Sequence, residues 1–180
     1  ASPRLGELWC GTIPGGLFRS RDGGDSWQLM ENLWKHPDRK FWVGGGADYP
    51  GIHSILVDPR SPDIVRLGVS CGGLWLTTDG GKSWDCKGQG MRADYAPPDQ
   101  AYERRGQDAH RLAQCKAKPD HIWIQHHNGI FLSTDGGLTC TEIKNAKPSV
   151  FGFPVVVHPE DPRTAWFVPG KKDERRYPVD

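Results

Sequence analysis

The phrases SRDGGDSW (20–27), TTDGGKSW (77–84) and STDGGLTC (133–140) are three versions of one motif. Their aspartates, Asp22, Asp79 and Asp135, recur 57 and 56 positions apart, and self-similarity at a fixed period of this size signals a repeat architecture. Each copy follows the same apolar phrase, GGLFRS, GGLWLT or NGIFLS. Farther upstream, LVDPRSPDIVRLGVS (56–70) matches CKAKPDHIWIQ (115–125) and VVHPEDPRTAWFV (156–168). One unit therefore reads strand, D-P-x-x-P turn, strand, tight glycine loop, strand, D-G-G turn, strand. Four antiparallel strands in about 56 residues are the content of a propeller blade.

The motif's residue types follow from the turn it must make. The paired glycines supply positive φ without a Cβ penalty. The aspartate carboxylate can accept hydrogen bonds from backbone N–H groups inside the turn, so Asp22, Asp79 and Asp135 are read as turn staples in preference to catalytic or calcium-binding groups. Trp27 and Trp84 are expected to insert between sheets. In the third copy Cys140 takes that place, and its blade is expected to be less well anchored.

The pattern resembles the Asp-box or BNR repeat of sialidase-type propellers. The same repeat occurs in sortilin-type receptors, in xyloglucan-active glycoside hydrolases and in a related photosystem II assembly factor. The D-P-x-x-P turns and G-G-L-[FW] phrases are most similar to bacterial proteins labelled exo-α-sialidase or BNR-repeat glycosyl hydrolase, over nearly the whole chain. The resemblance implies an all-β propeller of four-stranded antiparallel blades. It implies no single function, because the family includes enzymes, receptors and scaffolds.

The blade count falls short of the roughly four to eight that close a ring. Residues 5–30 supply a partial blade, 53–87 and 110–144 two full ones, and 153–180 another partial one, about three blades' worth in a single propeller portion. Within the last, only two strands (153–168) are read before the chain ends. The expectation is a ring completed by further sequence or by a second copy, since open sheet edges would otherwise be exposed.

Composition agrees with an all-β chain: 180 residues, 36% hydrophobic, with 8 Trp, 23 Gly and 15 Pro. Lys and Arg number 23 against 22 Asp and Glu, a net charge of +1, which gives no reason to expect nucleic acid or an anionic membrane as partner. No apolar run approaches a transmembrane helix, and the opening ASPRLGELW lacks the features of a signal peptide. The five cysteines, Cys10, Cys71, Cys86, Cys115 and Cys140, are odd in number and form no C-x-x-C pair. Three of them sit where a strand would put a small buried residue and are read as packing thiols, and a reducing, cytoplasmic setting is expected. No phosphate- or dinucleotide-binding motif occurs, and Gly44-Gly45-Gly46 is read as a flexible loop.

Function is expected on the face opposite the D-G-G turns, where 31–52, 88–109 and 169–180 form long insertions. His53 and His110 stand at equivalent entries to successive innermost strands, and His126 and His127 in the loop after a second strand. These four are nominated as ligands of a divalent metal or, for His53 and His110 together with Asp48 and Asp108, as acid/base groups. The alternative is that the histidines bond backbone across neighbouring blades. Arg39, Trp42, Arg92, Tyr95, Arg104, Arg105, Arg176 and Tyr177 are nominated to bind a glycan or protein ligand by stacking and bidentate hydrogen bonds. Sialidases resemble one another in an arginine triad, a Tyr–Glu pair and an early R-I-P motif. Here Arg176-Tyr177-Pro178 echoes that motif after the third turn, and no triad is assignable. Three functions stay open: a glycoside hydrolase, a protein-binding scaffold and a metal-dependent enzyme.

Overall fold

The computed structural model describes residues 2–179. Four antiparallel sheets follow one another along the chain. The first holds β1 (Leu8–Gly11), β2 (Leu17–Ser20) and β3 (Gln28–Leu29). The second holds β4 (Ile52–Asp58), β5 (Ser61–Val69), β6 (Gly73–Thr77) and β7 (Asp85–Lys87). The third holds β8 (Ala109–Gln114), β9 (Ile122–His126), β10 (Gly129–Ser133) and β11 (Thr141–Glu142). The fourth holds β12 (Gly152–Val157), β13 (Ala165–Lys172) and β14 (Arg175–Pro178). In each sheet the strands pair in chain order, as in the blades of a β-propeller.

The three D-G-G turns share one hydrogen-bond scheme. The opening hydroxyl accepts the N–H of the second glycine, at 2.9 Å for Ser20–Gly24, 2.9 Å for Thr77–Gly81 and 2.8 Å for Ser133–Gly137. It also donates to the aspartate. The carboxylate then accepts the N–H of the residue four places on, at 3.0 Å from Ser26, 3.0 Å from Ser83 and 2.9 Å from Thr139. All six glycines have positive φ, a conformation that a Cβ would penalise.

The turns also join the sheets. Arg19 Nη1 donates to the carbonyl of Gly80 at 3.1 Å, and Arg66 Nε to the carbonyl of Gly136 at 2.6 Å. The N–H of each of those glycines is meanwhile bonded within its own sheet, Gly80 to the carbonyl of Asp63 in β5 and Gly136 to the carbonyl of Asp120 in the turn before β9. Both arginines are buried and neutralised, Arg19 by Glu7 and Arg66 by Asp58, whose Oδ2 lies 3.2 Å from Nη1. Outside this pair, half-exposed Arg60 spans from Asp58 to Asp120.

Apolar packing fills the spaces between sheets. Leu17, Val65, Leu67, Trp75 and Trp84 form the core between the first two sheets. Leu74, Met91, Leu112, Ile122 and Phe131 form the core between the second and third. Trp84 is 4% exposed and points back toward the first sheet, as expected, whereas Trp27 is 44% exposed. The difference is topological: the face of the first sheet that Trp27 covers meets no other sheet among the described residues. Cys140 is buried too, and the chain after β7 lies directly against it. Gly88 N–H bonds Gly137 O, Gln89 N–H bonds Leu138 O, and Cys140 N–H bonds Gln89 O. Backbone pairing of Gly88 and Gln89 thus lies over Cys140, and Met91 belongs to the same buried cluster. A third strand, β14, closes a hairpin with β13 where an irregular loop was expected; Asp173 and Glu174 provide its tight turn.

Two outcomes test this frame. Arg66→Ala is expected to destabilise the fold by about 3 kcal/mol, because it strips a buried carboxylate of a partner and orphans the Gly136 carbonyl. Arg60→Ala is expected to cost less, about 1–2 kcal/mol, because its guanidinium is half-exposed and water can take its place at Asp58; urea denaturation of both compares them. Burial works to raise the pKa of Asp58, but hydrogen bonds from Arg60 and Arg66 win and hold it at about 2. A lowered folded-state pKa stabilises above the unfolded value and is lost as pH falls through the folded one. Stability should therefore drop between about pH 4 and pH 2, and Asp58→Asn, though less stable at neutral pH, should show a shallower drop.

Candidate functional site

The insertion after the first sheet begins with the helical turn α1 (Glu31–Trp34) and a 3-10 turn, Pro37–Phe41. It then runs as the glycine-rich segment 43–51 across the loop between β5 and β6. Val43 N–H bonds Cys71 O, Ser70 Oγ donates to Gly44 O, and Ser70 N–H bonds Gly51 O. Gly45 packs so closely that a Cβ there would lie 2.9 Å from Cys71 Sγ, 3.0 Å from Ser70 Oγ and 3.2 Å from Asp108 Oδ2. The run of three glycines is thus a fitted cover over Asp108, where a flexible loop was expected.

Beneath that cover lies a pocket of about 200 Å³, small for a ligand site. Of the nominated residues it gathers His53, Asp108, His110 and Arg176, and it adds Ser70, Tyr49 and Phe153. Asp48 is exposed on the covering loop between two lining residues, Ala47 and Tyr49. A larger opening of about 540 Å³ lies at the turn face, and of the nominated residues it holds only Asp79, which is engaged in its own turn.

Asp108 is the centre of the constellation and is almost fully buried. Its Oδ1 accepts the N–H of Cys71, and its Oδ2 lies 3.3 Å from His110 Nε2 and 3.7 Å from His127 Nδ1. Its own N–H donates to His126 Nε2 at 3.1 Å, and its carbonyl accepts the N–H of His127. Burial works to raise the Asp108 pKa, but the hydrogen bond and charge of His110 hold it below the usual carboxylate range. Burial likewise works against the charged form of His110, and Asp108 overcomes it and raises its pKa. His110 Nδ1 lies 2.8 Å from Gly152 O, and its ring stacks on Phe153 at 4.5 Å.

The four histidines therefore separate. His110 and His127 meet at Asp108. His126 is wholly buried, pushed down by burial to about 3, and its acceptor nitrogen holds the Asp108 backbone. His53 is exposed and its ring rests against Gly51.

The nominated binding residues are similarly dispersed. Trp42 is buried edge-on to Trp75. Arg39 stacks on Trp34 at 3.7 Å and donates to Pro14 O. Arg92 pairs with Asp94 and Glu142, Arg104 donates to Cys86 O, and Arg105 bridges Glu103 and Asp38. Tyr95 donates to Gly106 O and stacks on His126, while burial raises its pKa. Tyr177 is half-exposed on β14 beside Lys171. Arg176 reaches back to Asp173 at 2.5 Å and covers Phe153. Residues missed at the sequence level are Phe153, Tyr49 and Asp173. Phe153 had a readable signal, since it is the second residue of β12, as His53 is of β4 and His110 of β8.

The fold and this pocket define the chain as part of a β-propeller with a buried Asp–His centre on the face away from its D-G-G turns. No protein-family model matches the chain. Over 80 residues it is 38% identical to an oligoxyloglucan-reducing end-specific xyloglucanase of Emericella nidulans, a match covering 44% of this chain and 9% of that protein. Over 90 residues it is 37% identical to a probable oligoxyloglucan-reducing end-specific xyloglucanase of Neosartorya fischeri, covering 49% and 10%. The chain thus matches about a tenth of the length of these curated relatives. The solved GH74 xyloglucanase from Xanthomonas campestris matches 95% of this chain and 26% of its own, with a TM-score of 0.66 at 18% identity. That likeness is one of fold. No helix among the described residues is long and apolar enough to cross a membrane.

The thiols give a direct test of packing against reactivity. Burial pushes Cys71, Cys86 and Cys140 up to about 12, and the thiolate is the reactive form. Native protein treated with iodoacetamide at pH 8 should be labelled first at exposed Cys10. Peptide mass spectrometry should find the other four modified only after denaturation.

Proposed function

We propose that this chain is a section of a glycan-acting β-propeller, a glycoside hydrolase of the xyloglucanase type, with its carbohydrate-facing surface on the insertion face. The observation that carries the reading is the identity of 37–38% with xyloglucanases across 80–90 residues. The pocket's chemistry supports it. Tyr49 and Phe153 present aromatic surface of the kind that stacks on sugar rings, and Arg176 and His53 supply hydrogen-bond donors beside them. Asp48, exposed on the rim, is the carboxylate we assign to the sugar. Asp108 is engaged by His110 and the Cys71 amide, which makes it a poor proton donor and a good fixed anion.

The test is hydrolysis and binding of xyloglucan oligosaccharides by the protein that carries this sequence, followed by reducing-end release and calorimetry. Tyr49→Ala and Phe153→Ala are each expected to weaken binding by about 2- to 12-fold, the equivalent of about 0.5–1.5 kcal/mol for an aromatic contact. Asp48→Asn is expected to lower turnover more than affinity. Absence of both binding and hydrolysis across xyloglucan fragments, in folded protein, would remove the reading.

A further inference from the structure

We propose that Asp108, His110 and His127 form a binding site for a divalent first-row transition ion, with zinc the best-suited occupant. The inference stands on the geometry of these side chains and is independent of the glycan reading.

One ligand atom from each residue lies within 4.8 Å of the other two. Two edges of the triangle, 3.3 Å and 3.7 Å, bracket the edge of about 3.4 Å that a tetrahedron with bonds near 2.05 Å requires. The remaining edge joins His110 to His127 within 4.8 Å, and His127, which is only partly buried, would turn slightly on binding to close it. Two imidazoles and one carboxylate make a borderline donor set, suited to zinc or ferrous iron and poorly suited to calcium or magnesium.

The groups around the three side chains hold them in place. Ligating groups in metal centres are held by hydrogen bonds through their other polar atom; Asp108 and His110 each have such a bond, and His127 has a carboxylate nearby at ion-pair distance. Gly152 O lies 2.8 Å from His110 Nδ1, which leaves Nε2 turned toward Asp108. Asp173 Oδ2 lies 3.7 Å from His127 Nε2, leaving Nδ1 turned to the same point. The Cys71 amide bonds Asp108 Oδ1, leaving Oδ2 as the shared apex. Two further bonds fix the Asp108 backbone, its N–H to His126 and its carbonyl to the amide of His127. His126 thus acts as a positioning residue, and His53 lies outside the set. Asp108 and His110 also line the pocket beneath Gly45. Three protein ligands beside an open pocket leave a coordination position for water or a substrate oxygen.

The experiment is metal titration of the apo protein with zinc, read by calorimetry and elemental analysis, and with cobalt, read by visible absorption. One equivalent of zinc should bind, and cobalt should develop the absorption of a nitrogen- and oxygen-ligated ion. Asp108→Asn risks the fold because the residue is buried, so His127→Gln is the decisive variant. It should keep the circular dichroism of the parent and lose more than about 100-fold in zinc affinity, beyond what loss of a supporting partner costs. Asp173→Asn should lose about 10- to 100-fold, and His53→Gln should bind zinc like the parent. Absence of stoichiometric zinc binding, undiminished affinity in His127→Gln, or loss of the site in His53→Gln would each overturn the assignment. None of these readouts depends on glycan hydrolysis.

Discussion

The first glycine of a D-G-G turn carries the connection between sheets. Its N–H is bonded within its own sheet, to Asp63 for Gly80 and to Asp120 for Gly136, while its carbonyl receives an arginine from the sheet before. One glycine, through the two peptide groups that meet at its Cα, therefore links two sheets. It can do so because it holds those groups at positive φ and because the arginine arrives already neutralised. A buried guanidinium without Glu7 or Asp58 would cost several kcal/mol. The interlocking tryptophan, the apolar layers and the loops above them are all arranged around that joint.

This dependence explains what was legible from residues alone. The turns announced themselves because local hydrogen bonds dictate their residue types: a hydroxyl, a carboxylate and two glycines at fixed offsets. Strand order and the two-face division followed from the repeat. The arginines did not stand out, since Arg19 comes from β2 and Arg66 from β5, positions that do not correspond in the repeat. They converge only in three dimensions. The cover over Cys140 was equally hidden, because it comes from backbone bonds of Gly88 and Gln89 and backbone leaves no side-chain signature.

The pocket was legible in part. His53 and His110 could be nominated together because equivalent positions in successive repeats must approach one another, Asp108 joined them as a sequence neighbour of His110, and Arg176 was nominated separately as a binding residue. Arg39, Arg92, Arg104 and Arg105 could not be sorted from them, since composition does not reveal that a guanidinium already has a partner. The glycine run 44–46 was the least transparent feature. Three glycines in a row look like slack, and only the proximity of Cys71, Ser70 and Asp108 to Gly45 shows that the absent side chains are what permits the fit.

The sheet joint also has a direction. In both instances the donor belongs to the earlier sheet and the acceptor to the later one, and Trp84 leans back onto the sheet that precedes it. A sheet leaving the ribosome would find its docking partner already made, with nothing downstream needed to complete the contact. Assembly in such a chain can run in step with synthesis, each sheet acting as template for the next, as nearest-neighbour coupling in repeat proteins allows. The asymmetry would also let a duplicated unit be appended without redesign of those before it.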